Sequence, residues 1–189
     1  AFDITSKDRI SMLFFSSYAM SVYHLFGALL QGAALCMLFP GQVDLEKLSK
    51  WCFDEQVSIL HPPAAIFQIM MKEKPDSTRF EQVRKVIVGG GAIFRQDVAK
   101  FYQFFSETCQ LVHICGSTEG GPLANNFLEK NAQFTGNVVP VGRPIQDISL
   151  FDVNGKDVSP GEEGELVVRS PYIALGYWRR PELTQASFR

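Results

Sequence analysis

Over the first two-thirds of this 189-residue chain, short apolar runs alternate with segments of helical period. Residues 10–15, 34–39, 57–60, 85–88 and 111–114 are brief and apolar, and read as strands. Between them, residues 21–31, 44–55, 63–72 and 96–106 carry the helical spacing. Gly32 ends the first helix, and Pro40-Gly41 closes the strand after it. Asp44 sits where an N-cap belongs, with Leu45, Leu48 and Cys52 on one face behind it. Pro63 stands at the start of a helix, where its fixed φ is tolerated. Strands separated by helices cannot form hairpins, so they pair in parallel through right-handed crossovers. The expected fold is α/β, with a parallel sheet between helical layers in a three-layer α/β/α arrangement.

The texture changes after about residue 137. Residues 147–153 and 165–169 read as strands, with turn residues Asn154-Gly155 and Pro160-Gly161 between them. Prolines at 140, 144, 160, 171 and 181 exclude long helices. We therefore expect an α/β sandwich subdomain over residues 1–137 and a small β-rich, barrel-like subdomain, itself truncated, over 138–189.

Bulk properties exclude several classes of function. The formal net charge of −2 and the lack of any basic run leave no electrostatic footprint for a nucleic-acid partner. The most apolar stretch, residues 28–39, is interrupted by Gln31 and Gly32 and falls short of a transmembrane segment. The charged N-terminal residues do not resemble a signal peptide. Four cysteines without C-x-x-C spacing suit reduced thiols, and a cytoplasmic location is expected. His113 and Cys115 form an isolated pair with no partner pair nearby, which argues against zinc.

Two loops at strand ends carry the chemistry. Residues 86–92 run Val-Ile-Val-Gly-Gly-Gly-Ala, a strand entering three glycines. A dinucleotide fingerprint would need a further glycine where Phe94 stands, so a Rossmann-type oxidoreductase is disfavoured. What remains is a close backbone approach to a ligand at the carboxyl end of a parallel strand. One β-α unit later, the run Leu-Val-His-Ile-Cys breaks into Gly116-Ser117-Thr118-Glu119. Thr118 could simply cap a helix, or it could offer its hydroxyl and a helix N-terminus to a phosphate. Glu119 is a hard oxygen ligand of the kind Mg²⁺ takes beside substrate phosphates.

Gly116-Ser117-Thr118-Glu119 resembles the aromatic-Gly-x-Thr-Glu motif of the adenylate-forming superfamily, which includes acyl-CoA synthetases, luciferases and nonribosomal peptide synthetase adenylation domains. Three further stretches agree in order. Gly89-Gly90-Gly91-Ala92-Ile93 is similar to the family's adenine-side loop. Val141-Gly142-Arg143-Pro144-Ile145 resembles its segment leading into the barrel. Gly164-Glu165-Leu166, continuing to Gly176-Tyr177-Trp178-Arg179-Arg180-Pro181-Glu182-Leu183-Thr184, resembles G-E-L … G-Y-x-x-R-P-E-L-T. The resemblance implies a two-step reaction. ATP and a carboxylic acid give an acyl-adenylate, and the acyl group then passes to the thiol of coenzyme A or of a carrier-domain phosphopantetheine. It also implies roles: Thr118 for phosphate, Glu119 for Mg²⁺, and Gly89, Gly90, Gly91, Ala92, Cys115, Gly116 and Ser117 around the nucleotide. By the same resemblance the acid's pocket would draw on Ala19, Met20, Tyr23, Ile87, Gly89, Ile114, Pro122 and Leu123.

Three departures from the family pattern sharpen these expectations. Cys115 stands where the motif has an aromatic ring against the adenine. Ala19, within Tyr18-Ala19-Met20-Ser21, stands where amino-acid-activating members carry an aspartate for the substrate's α-amino group. An ammonium buried there without a partner is costly, so the expected acid lacks an α-amino group. The family's lysine-bearing phosphate loop, its ribose-binding aspartate and its C-terminal lid find no match in these residues. The expectation is therefore the central part of a larger enzyme, inactive in isolation. The alternative is a non-catalytic nucleotide- or acyl-binding module of the same fold, for which Cys115 speaks.

Overall fold

The computed structural model describes residues 2–38, 44–145, 147–151, 154–159 and 161–188. Its strands are β1 (Arg9–Met12), β2 (Ala34–Met37), β3 (Ile59–Leu60), β4 (Lys85–Val88), β5 (Gln110–Ser117), β6 (Gly121–Leu128), β7 (Arg143–Pro144), β8 (Asp147–Phe151) and β9 (Glu165–Arg169). The helices are α1 (Ala19–Leu29), α2 (Leu45–Asp54), α3 (Ala64–Glu73), α4 (Arg95–Phe104) and α5 (Pro181–Ser187). Seven strands form one sheet in the order β2-β1-β3-β4-β5-β6-β7, and β8 pairs with β9 separately. The first five pair in parallel, as the alternation with helices requires, while β6 and β7 add antiparallel at one edge. Among the described residues no strands close into a barrel.

Alternation along the central strands sends side chains to two cores. Val86, Val88 and Leu111 join Leu48 and Cys52 of α2, Phe67 of α3 and Phe101 of α4 on one face. Ile10, Ile59, Ile87, Val112 and Ile114 meet Ala28 of α1 on the other. The arrangement is the expected three-layer one, with both faces of the parallel strands covered. Asp44 caps α2 as read from the sequence, its carboxylate accepting from Lys47 N at 2.7 Å. The Pro40-Gly41 turn lies outside the described residues.

A buried carboxylate ties the strand starts together. Asp8, at the head of β1, accepts from Arg84 Nε and Nη2 at 2.8 Å each, from Ser58 Oγ at 2.7 Å and from Thr5 N at 2.8 Å. The Arg84 guanidinium holds the Asp8 carboxyl well below the usual carboxylate range. One side chain thereby joins the approaches to β1, β3 and β4.

Several sequence expectations are corrected. The first strand ends at Met12 rather than Phe15, and α1 starts at Ala19, two residues early. Residues 13–18 are thus released as a loop beside the sheet. The expectation that Thr118 opens a helix fails: residues 118–120 are a turn, and β6 returns antiparallel beside β5. The reason is local. A Cβ on Gly116 would lie 2.7 Å from Gly121 O, so only glycine lets the two strands approach this closely. Ser117 Oγ accepts from Gly120 N at 2.9 Å and closes the turn of the hairpin.

Candidate functional site

A cavity of about 580 Å³ opens at the carboxyl ends of the parallel strands. That is the position where open α/β sheets take ligands, because the loops leaving neighbouring strands diverge there. Three segments wall it. The loop after β1 gives Leu13, Phe14 and Phe15, and the start of α1 gives Tyr18, Ala19 and Met20. The β5–β6 hairpin gives Ile114, Cys115, Gly116, Ser117, Thr118, Glu119 and Pro122. Gly90 and Pro63 close the remaining side.

The structure therefore brings together ten of the residues singled out from the sequence: Ala19, Met20, Gly90, Ile114, Cys115, Gly116, Ser117, Thr118, Glu119 and Pro122. Others lie elsewhere. Ile87 is in the core under α1. Gly89 packs against the Ile114 side chain, Gly91 against Ala64. Ala92 O accepts from Gln68 Nε2 at 2.9 Å. Leu123 is buried, and Tyr23 faces a separate cavity of about 510 Å³ that it shares with Pro122 and Arg169.

Among the described lining residues Glu119 is the one carboxylate, set against walls that are otherwise apolar or small. The hydroxyl of Tyr177 donates to Glu119 Oε1 at 2.6 Å and holds its carboxyl below the usual carboxylate range, so it is ionised at neutral pH. The glycine loop is fixed from below by His113, whose Nε2 lies 3.3 Å from Gly91 O. Burial pushes the His113 imidazole below its ordinary value.

Sequence reasoning missed Leu13, Phe14 and Phe15, because residues 10–15 read as unbroken strand, and it missed Tyr18 and Pro63, the second of which read only as a helix start. It also missed the approach of Tyr177 to Glu119. Both lie in stretches that resemble family motifs, but nothing in a linear sequence says that residues 58 positions apart share a hydrogen bond.

Comparison with known proteins agrees with this fold. The profile described as AMP-binding enzyme matches residues 2–178. Gramicidin S synthase 1 from Brevibacillus brevis is 30% identical over 98% of this chain, which spans 16% of its length. Zwittermicin A synthase ZmaJ from Bacillus cereus is 29% identical over the whole chain, which spans 37% of its length. Among solved structures, the N-terminal subdomain of Klebsiella oxytoca NpsA in complex with 3-hydroxybenzoyl-AMSN shares the fold, with a TM-score of 0.81 and 23% identity over 98% of this chain and 47% of its own. The structure of CmiS6 reaches a TM-score of 0.86 at 18% identity, over 97% of this chain and 45% of its own. With the profile spanning nearly all of its length, the chain belongs to the AMP-binding enzyme family.

Proposed function

We propose that this chain is the central part of an enzyme that activates a carboxylic acid lacking an α-amino group as its acyl-adenylate, using ATP and Mg²⁺. The acyl group then passes to the thiol of a carrier-domain phosphopantetheine or of coenzyme A. The observation that carries the reading is the polarity of the cavity: an ionised carboxylate and hydroxyls at one end, apolar walls elsewhere, and Ala19 where an acid would be needed to pair an ammonium.

The residues fit a Mg²⁺ ion. That cation keeps several waters and takes one or two carboxylates together with substrate phosphates, rather than a full protein cage. Glu119 supplies one such carboxylate, and among the described residues there is no cluster of three ligating side chains that would favour a tighter-held metal. When bound, the ion supplies neutralisation of the charge that builds on the phosphates as pyrophosphate leaves. The chain's own residues do the rest. Glu119 holds a fixed negative charge at the cavity edge, and Thr118 and Ser117 offer hydroxyls to phosphate oxygens. Phe14, Phe15 and Met20 exclude water from the acid, so that its carboxylate can attack the α-phosphorus in line. Half-buried Cys115 and exposed Gly90 line the side of the cavity proposed for the base. That the described lining residues include no second acid supports a substrate without an α-amino group, such as an aryl, alkyl, hydroxy or keto acid.

ATP–pyrophosphate exchange by the full-length polypeptide tests the proposal. An acid without an α-amino group should be the best substrate, and Glu119→Gln should lower exchange about 10²–10³-fold. An ordinary α-amino acid as best substrate would sink the substrate assignment. The 189 residues alone should show no exchange.

The second reading, a binding module without catalysis, is favoured by one observation, the thiol of Cys115 in the cavity wall in place of a ring. Tight binding of a sulfamoyl adenylate by full-length protein that catalyses no exchange with any acid would select it.

A further inference from the structure

Glu119 is gripped from outside the cavity. Its backbone carbonyl accepts from Ala174 N at 2.8 Å, and its Oε1 accepts from the Tyr177 hydroxyl at 2.6 Å. Both donors come from the segment after β9, far from the hairpin in sequence. We propose that Tyr177 is a positioning residue for the metal-binding carboxylate: it occupies one oxygen of Glu119 and so fixes which way the carboxylate presents itself to a divalent cation. The inference rests on the reading of Glu119 as the Mg²⁺ ligand given above.

The segment is built to aim this ring. Gly176 has φ +137°, and a Cβ there would lie 2.4 Å from Thr184 Cγ2, so a side chain at 176 would push α5 away. Thr184 Oγ1 accepts from Tyr177 N at 2.9 Å and donates to Arg180 O at 2.9 Å, locking the backbone of Tyr177 to the first turn of α5. Phe188 packs edge-on against the Tyr177 ring, with centroids 5.6 Å apart. Four residues of one short segment thus converge on where a single hydroxyl points.

A bond that only docked α5 would have no call on this carboxylate in particular. The hairpin's turn offers backbone carbonyls as well, and one of them, Glu119 O, is already used by Ala174. A hydrogen bond to an ionised acceptor is short and directional, and partners of this kind behind a metal ligand set its orientation. Glu119 also borders a second cavity of about 400 Å³, lined by Val168, Ile173 and Phe188, into which an unrestrained carboxylate could swing. Tyr177 holds it against that motion.

The experiment measures ATP affinity by calorimetry on the full-length polypeptide as a function of free Mg²⁺, together with AMP affinity in EDTA and the thermal unfolding midpoint. In the native protein ATP affinity should rise with Mg²⁺, and Glu119→Gln should remove that gain. Tyr177→Phe should raise the free Mg²⁺ needed for half of the gain about 10–100-fold, while the AMP affinity and the unfolding midpoint stay at their native values. Thr184→Val, which frees the Tyr177 backbone, should move it the same way by less. If Glu119→Gln removes the metal-dependent gain and Tyr177→Phe leaves it at the native value, the positioning role is overturned and the metal role of Glu119 stands. If Tyr177→Phe weakens AMP and ATP alike and lowers the midpoint, Tyr177 merely docks α5 and the proposal is overturned. If Glu119→Gln leaves the Mg²⁺ dependence unchanged, the metal role itself falls, and this inference with it.

Discussion

At the scale of single residues, the cavity contrasts what a side chain carries with what it lacks. Glu119 carries charge, and a donor that reaches it across 58 residues of sequence lowers its carboxyl further below neutrality. Ala19 and Cys115 matter for what they lack: a carboxylate and a ring. The base of a nucleotide gains about 1–3 kcal/mol from stacking on an aromatic side chain. Cys115→Phe is therefore expected to tighten AMP binding by roughly 5–150-fold, the equivalent of that energy, as read by calorimetry. An unchanged affinity would mean that the base does not lie against residue 115. The roles proposed for Thr118 and Glu119 come from four letters and a family resemblance. The bond that orients Glu119 could not be read that way, because it depends on where the chain returns after two further strands.

At the scale of elements, the strands and helices easiest to read were those whose own residues decide them. Lys85–Val88 emerged with the expected ends because a continuous buried run bounded by glycine has few alternatives. Helix α2 did likewise, since Asp44 caps it from its own side chain. The β5–β6 hairpin was not legible. Residues 121–128 begin Gly-Pro and carry two asparagines, a poor strand by propensity, and only pairing with β5 makes them one.

Helix α1 and the end of β3 also meet through a buried pair that no periodicity marks. His24 Nε2 and His61 Nδ1 lie 2.5 Å apart, with the Phe14 ring 5.6 Å from one and 5.2 Å from the other. Burial drives His24 down to about 4 and His61 well below its ordinary value. Their bond needs one neutral nitrogen to accept, and protonating both rings would set two donors face to face. A base whose folded pKa is depressed binds fewer protons folded than unfolded, so stability is full above the unfolded value near 6.5 and falls as pH drops toward 4. For His24 alone that amounts to about 3 kcal/mol. Urea unfolding at pH 7.5 and pH 4.5 should show a loss of this order, with His113 adding in the same window. A His24→Gln variant should lose less between the two pH values. Equal losses in both proteins would show that His24 titrates normally.

At the scale of the whole molecule, one sheet with two apolar faces positions everything else. Five parallel strands bring the loops after β1, β4 and β5 to the same edge, and the cavity forms where those loops part. The alternation of strands and helices was enough to expect that edge. It could not reveal that β6 and β7 would extend the sheet antiparallel, nor that residues 137–139 would pair back onto residues 93–95 through Arg95 N to Asn137 O and Val139 N to Ile93 O. Those pairings are long-range and leave no local mark. Among the described residues no helix is long and apolar enough to cross a membrane.

The central claim is that this cavity receives an acyl-adenylate whose acyl part bears no α-amino group. Two sulfamoyl adenylates that differ only in that group, 3-phenylpropanoyl and phenylalanyl, test it on the full-length polypeptide by competition for one site. With Ala19 unable to pair an ammonium, the 3-phenylpropanoyl compound should bind at least about 10-fold more tightly. Equal affinity, or a preference for the phenylalanyl compound, would contradict the account.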